Sequence, residues 1–112
     1  MNAEAVRRLV LDLPEVEEYE HGGLPSFRVR GRRFASMLDT DGINVALGEK
    51  SIRAAMAEWP EACREERFGT RLVAVRVDFR KLQNDVVEEL LTDAWEARAP
   101  RRLARARRGL DE

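Results

Sequence analysis

Cysteine and histidine are almost absent from this sequence, which contains one residue of each, and it has no long uncharged apolar run. The single thiol of Cys63 excludes an internal disulfide and a cysteine-built structural zinc site. His21 has no second histidine, serine elbow or spaced ligand set beside it to support catalysis or metal binding. A signal-peptide-like segment and a span of about 18 apolar residues are also missing. These absences predict a cytoplasmic protein without catalytic activity, cofactor, metal or membrane partner.

Charge is abundant but unevenly distributed. Of 112 residues, 44% are hydrophobic and 37% are charged, which fits one folded core with a dense ionic surface. From residue 98 onward there are six arginines and two acids, whereas the rest of the chain has an excess of acids. We therefore predict one domain over residues 1–100 and a basic C-terminal extension over residues 101–112. Such an extension fits attraction to nucleic acid, and it equally fits a solvated helix.

Hydrophobic spacing predicts a mixed α and β fold. Apolar residues at helical spacing, ended by prolines, predict helices over residues 3–12, 49–58 and 84–99. Short segments between turn residues predict strands over residues 25–30, 33–38, 43–47, 62–68 and 72–77. The acidic stretch over residues 15–20 fits either a strand or a loop. The order α-β-β-β-α-β-β-α, with hairpin-length strand connections, predicts an α+β fold whose antiparallel sheet has helices packed on one face.

The segment from Leu13 to Met37, LPEVEEYEHGGLPSFRVRGRRFASM, resembles the signature of the MmcQ/YjbR family. Its features are Leu-Pro, an acidic run, a histidine, a Pro-x-Phe strand and a Val-x-Gly-x-x-Phe-Ala hairpin. The strand over residues 72–77 and the segment EELLTDAW over residues 88–95 are similar to that family's second half, so the resemblance covers about residues 3–100. It implies a frataxin-like or secretion-chaperone-like α+β fold and a DNA-binding role through a double wing of hairpins.

Several isolated features have ordinary structural explanations. His21 fits a capping or strand-edge hydrogen bond, with a role in binding as the alternative. The stretch Asp39-Thr40-Asp41-Gly42 predicts a hairpin turn, because the closing glutamate of a calcium loop is missing. Cys63 fits a half-buried, unreactive thiol. Trp59 and Trp95 lie on the apolar stripes of the second and third predicted helices, which indicates that they pack in the core.

Arginines are concentrated in the segment from Phe27 to Phe34, whose order is Phe-Arg-Val-Arg-Gly-Arg-Arg-Phe. If its apolar side chains point to the core, strand alternation places Arg28 and Arg30 on the opposite face of the sheet. Arg32 and Arg33 then crown the turn. These guanidinium groups suit a phosphate backbone, because each offers several donors and stays charged. The neighbouring acidic stretch could instead neutralise them in surface ion pairs.

Other residues extend this predicted surface. The late strand adds Arg71 and Arg76, and additional contacts are expected from His21, Arg101, Arg102 and Arg105. The first hypothesis is a nucleic-acid-binding module whose hairpins, at Gly31 and at Gly69-Thr70, act as wings on double-stranded DNA. The second is a chaperone-like protein-interaction module whose open sheet face or strand edge receives a partner chain. A continuous positive ridge favours the first hypothesis, and an apolar patch on a mixed surface favours the second.

Overall fold

A computed structural model describes residues 1–107 and 109. Its helices are α1 (Ala3–Leu11), α2 (Glu49–Glu58), α3 (Asn84–Arg98) and α4 (Arg101–Arg107), with one 3₁₀ turn at Phe79–Lys81. Its strands are β1 (Val16–His21), β2 (Leu24–Val29), β3 (Arg32–Met37), β4 (Gly42–Val45), β5 (Cys63–Phe68) and β6 (Arg71–Asp78). Three charged residues of the C-terminal extension, Arg108, Asp111 and Glu112, lie outside the described residues.

The strands form one antiparallel sheet in the order β1-β2-β3-β4-β6-β5. This arrangement confirms the predicted α+β class and the antiparallel sheet, and it adds β1 at one edge. Strand β1 lacks a clear apolar alternation because three of its six residues are glutamates. These residues, Glu17, Glu18 and Glu20, are all exposed. Charged side chains on an edge strand discourage pairing with other chains, so this composition suits its position.

The helices and one face of the sheet enclose a single apolar core. Phe27, Val29, Ile43 and Val75 contribute from the strands, and all four are fully buried. Trp95 on α3 is also fully buried, and its Nε1 donates a hydrogen bond to the carbonyl oxygen of Pro14 at 3.0 Å. The predicted packing role of Trp95 is therefore confirmed, since its ring fills the core while its polar atom has a partner.

The C-terminal extension also takes part in the core. Ala104 of α4 is buried in the same apolar cluster, and Leu103 packs against it. The guanidinium carbon of Arg107 lies 5.9 Å from the centre of the Trp95 ring. Helix α4 therefore belongs to the helical layer, and removing it would expose core residues as well as remove charge.

The other face of the sheet, called the open face below, carries mainly polar side chains. The strand register places one row of residues across all six strands: Tyr19, Ser26, Ser36, Asn44, Arg76 and Arg64. The hydroxyls of Ser26 and Ser36 are 2.9 Å apart and buried, so each satisfies the other. Small residues at the centre of this row leave a depression between longer side chains at its ends.

Candidate nucleic-acid interface

Two β-hairpins project from the same end of the sheet. We call residues 28–34 the first wing and residues 67–73 the second wing. Each has a two-residue turn, Arg30-Gly31 in the first and Gly69-Thr70 in the second. The φ angle is 50° at Arg30 and 64° at Gly69, and such left-handed positions let a short turn match the twist of its strands. Arg30 is thus the first residue of the turn, which corrects the prediction that it lies on the strand and faces away from the core.

The two wings share one pattern of strand pairing. Val29 lies opposite Arg32 at the end of the first wing, and Phe68 lies opposite Arg71 at the end of the second. The returning strand of each wing contains one extra residue at its third position, Phe34 in β3 and Val73 in β6, where the register shifts. The two hairpins are therefore equivalent, position by position.

The two wings differ, however, in which face of the sheet their equivalent positions meet. In the first wing, Val29 points to the core, which leaves Arg28 and Arg33 opposite each other on the open face. In the second wing, Leu72 belongs to the core cluster and lies opposite Arg67, so Phe68 and Arg71 point to the open face. Directly opposed side chains in an antiparallel pair share a face, and neighbouring positions alternate. Arg28, Arg33, Phe68 and Arg71 consequently come together at one end of the open face.

The short strand β4 separates the wings. Both β3 and β6 are antiparallel to β4, so they begin at the same end of the sheet, while β4 ends at Val45. Three inter-strand spacings separate the two turns, which corresponds to about 14 Å. A trough of about 250 Å³ lies between the wings, with Arg33 and Glu66 on its sides and Ser36, Ala46 and Ala74 lining it.

Asn44 lies in this trough with an unusual side-chain environment. Its Oδ1 is buried and has no hydrogen-bond partner among the described residues. A buried acceptor without a partner costs free energy, and a ligand carrying an N–H group would satisfy it.

Two arginines of the first wing are neutralised by the acidic stretch before β2. The Arg28 Nε donates to Glu17 at 2.8 Å, and its guanidinium carbon lies 4.3 Å from the centre of the Tyr19 ring. Arg30 donates to both carboxylate oxygens of Glu15, and this ion pair holds the pKa of Glu15 below its ordinary value. The predicted alternative of surface ion pairs is therefore confirmed for Arg28 and Arg30.

Two other arginines of the wings, Arg33 and Arg71, are not neutralised by a carboxylate among the described residues. Among the described residues, no ion pair or hydrogen bond is found for the side chain of Arg33 or of Arg71, and both are exposed. Arg32 and Arg33 are the first residues of β3, which corrects the prediction that both crown the turn. Arg32 points to the helix side of the sheet, where its Nη1 donates to the carbonyl oxygen of Arg98 at 3.2 Å. This bond attaches the end of α3 to the first wing and brings Arg98 near it.

The remaining predicted binding residues lie further from the wings. Arg76 is on the open face toward the opposite end of the sheet, 3.6 Å from a carboxylate oxygen of Asp39. His21 ends β1, five residues or about 17 Å along the strand from Val16, and its ring meets Tyr19 edge-on. Arg101, Arg102 and Arg105 are exposed on α4, in the helical layer.

Other candidate chemistry has structural explanations. The Asp39 Oδ1 accepts hydrogen bonds from the backbone N–H groups of Asp41 and Gly42, each at 2.8 Å, which confirms the predicted hairpin turn. Over residues 1–107 and 109, no group of three or more metal-ligating side chains is assembled. Burial raises the pKa of the Cys63 thiol, which is the opposite of nucleophile activation. The described helices include none that is long and apolar enough to cross a membrane.

Sequence reasoning missed three residues at this surface. Phe68 was not recognised because an aromatic residue in an alternating strand is ordinarily expected in a core, and Asn44 was not recognised because it stands alone. Arg98 was counted only as part of the basic C-terminal region. The signal for Phe68 was the similar order of the two turn sequences, Val-Arg-Gly-Arg and Phe-Gly-Thr-Arg, each of which ends in an arginine.

The fold and this surface define an α+β protein with two β-hairpins at one end of an antiparallel sheet. The family model that matches is YjbR, over residues 11–97, and the chain belongs to the YjbR family. The matched range includes both wings and most of α3, which confirms the family resemblance found in the sequence. Neither a curated protein nor a solved structure matches the chain.

Proposed function

We propose that the chain binds double-stranded DNA through its two wings and the open face between them. The observation that carries this proposal is the convergence of both wings at one end of the sheet, where Arg33 and Arg71 project from the same face. Arginines held on a sheet lose less freedom on binding than arginines on a chain that must first become ordered. Their planar guanidinium groups also match the geometry of phosphate oxygens.

The spacing of the wings suits a duplex. The two turns are about 14 Å apart, which is on the order of the separation of the two backbones across a groove of B-DNA. Two wings at this separation can therefore contact the two backbones that border one groove.

The charge on the exposed side of α3 favours the same orientation. This side carries the carboxylates Asp85, Glu88, Glu89 and Asp93, with Arg107 of α4 beside them. Partial burial raises the pKa of Asp93, and the nearby carboxylates of Glu89 and Glu96 raise it further. This acidic surface repels phosphate, whereas the wing end attracts it, so the field of the protein turns the wings toward DNA.

A matched pair of double substitutions tests the proposal. Arg33→Gln with Arg71→Gln removes one unpaired charge from each wing, and Arg101→Gln with Arg102→Gln removes the same charge from α4 while keeping Leu103 and Ala104. Fluorescence anisotropy of a labelled duplex, measured across a salt series, gives affinity and salt dependence together. The wing variant should lose at least about tenfold in affinity. Its log–log salt slope should fall by about 1.8 if both arginines contact phosphate.

Two results would contradict the proposal. One is the absence of any anisotropy change with the folded wild-type protein at low salt, which would favour the protein-interaction hypothesis for the open face. The other is an equal loss in both double variants, which would indicate attraction by overall charge without a role for the wings. Circular dichroism melting of each variant establishes that the fold is retained.

A further inference from the structure

Phe68 is held in solvent at the end of the second wing, with 80% of its surface exposed. Within the described residues it is the one large hydrophobic side chain found so exposed. Its equivalent in the first wing, Val29, is completely buried. Because the two wings meet opposite faces of the sheet, the position that holds a core residue in the first wing holds an exposed aromatic ring in the second.

The tip that carries Phe68 is internally braced. The Arg67 side chain donates to the carbonyl oxygen of Thr70 at 2.9 Å, across the turn, and to Glu65 at 3.0 Å on its own strand. This ion pair holds the pKa of Glu65 below its ordinary value. Arg67 thus fixes the turn from the helix side, while Phe68 and the unpaired Arg71 extend together from the open face.

We propose that Phe68 inserts between neighbouring base pairs of the bound duplex and kinks it. This inference rests on the proposed DNA binding and adds a role for the second wing. Phenylalanine is among the apolar side chains that act as wedges between base steps, and such wedges kink a duplex by about 20–90°. The ring is exposed before binding, so its insertion needs no rearrangement of the core. Arg71 lies directly opposite it in the hairpin and can hold the adjacent phosphate.

Affinity and bending can be measured in one experiment. A duplex carrying a donor dye at one end and an acceptor dye at the other reports bending by energy transfer, and anisotropy reports binding. Wild-type protein should shorten the end-to-end distance at saturation. Phe68→Ala should lose about 5- to 100-fold in affinity, the range seen when one stacking aromatic is removed. Its saturated complex should show the energy transfer of unbent DNA, whereas Phe68→Leu should retain most of the bend.

The Arg33→Gln and Arg71→Gln double variant is the matched control, since it should bind more weakly yet bend the DNA when saturated. If Phe68→Ala binds and bends like the wild type, insertion is wrong while DNA binding stands. If wild-type protein does not bind the duplex, both proposals fail together. If Phe68→Ala loses affinity only for a single-stranded competitor, the ring stacks on unpaired bases, and kinking of the duplex is wrong.

Discussion

The two wings have the same turn length, the same terminal pairing and the same position of the extra residue in the returning strand. They differ in what supports them. The first wing lies between β1 and β4, has its turn arginine paired with Glu15, and is attached to α3 through Arg32. The second wing forms the other edge of the sheet and is braced by its own Arg67. The same hairpin geometry is therefore packed against the core in the first wing and forms an exposed tip in the second.

This difference teaches that a position in a hairpin does not by itself decide whether a side chain is buried. The decisive quantity is the face that the position meets, and a shift of one residue exchanges the faces. In the first wing, arginines occupy the open face because apolar residues occupy the other. In the second wing, Leu72 is the residue that reaches the core, so Phe68 remains outside.

The largest effect is expected from breaking the support of the first wing. Trp95→Ala removes a fully buried ring from the last turn of α3 and should reduce the free energy of unfolding by about 3–5 kcal/mol. The Pro14 carbonyl also loses its hydrogen-bond donor. Urea denaturation measures the loss, with Trp95→Phe as an intermediate control that keeps an aromatic ring. A loss below about 1 kcal/mol would show that this ring does not support the core.

Equivalent positions of the two wings should respond in opposite ways to the same truncation. Val29→Ala should cost about 2–3 kcal/mol of stability because it leaves a cavity in a filled core. Phe68→Ala should change stability by no more than about 0.5 kcal/mol, although it removes more atoms. Parallel thermal and urea unfolding of the two variants makes the comparison. Equal losses would mean that Phe68 is covered in solution and that the wings are not supported differently.

A smaller effect is expected from the ion pair at the first turn. Glu15→Gln leaves Arg30 without a carboxylate partner and should raise affinity for duplex DNA by about twofold to fivefold, the scale of a surface pair. Glu18→Gln is the matched control, since it removes the same charge from the partner of Arg7 on α1. Anisotropy at one low salt concentration compares them. Equal gains would indicate that only net charge matters.

The same pair gives a pH dependence with a defined sign. Because the folded-state pKa of Glu15 is lowered by Arg30, its contribution to stability is present above the unfolded value of about 4.3. That contribution is lost as the pH falls through the lowered folded-state pKa. The Glu15→Gln variant should therefore show a weaker decline in melting temperature on acidification than the wild type does.

Most of the fold could be predicted from the sequence, because helical and alternating apolar spacing is strong in α1, α2, α3 and the central strands. Strand β1 could not be assigned, since an edge strand rich in glutamate has no apolar period to detect. Both ends of α3 were predicted to within one residue, the end from Pro100, although Gln83 occupies the N-cap position without a side-chain cap bond. Predicted element boundaries were otherwise close to the observed ones.

The candidate site was predictable in composition but not in geometry. The arginine cluster of the first wing was visible as residue order, whereas the division between paired Arg30 and unpaired Arg33 depended on where β1 lies. The contribution of the second wing depended on the register shift at Val73, which no local pattern indicates. The family resemblance pointed to the hairpins, whereas the side chains that each hairpin presents depend on its register in the sheet.

The hydrogen bond from Trp95 to Pro14 joins residues 81 positions apart, and this separation has a consequence for synthesis on the ribosome. The strands of the first wing emerge long before α3, so the side chains of Val29 and Phe34 remain exposed until that helix is synthesised. Closure of such distant contacts comes late in folding, because chain entropy must be lost before they form. The nascent chain should therefore remain a ligand for chaperones until its last helices are released, and truncated translation products should aggregate.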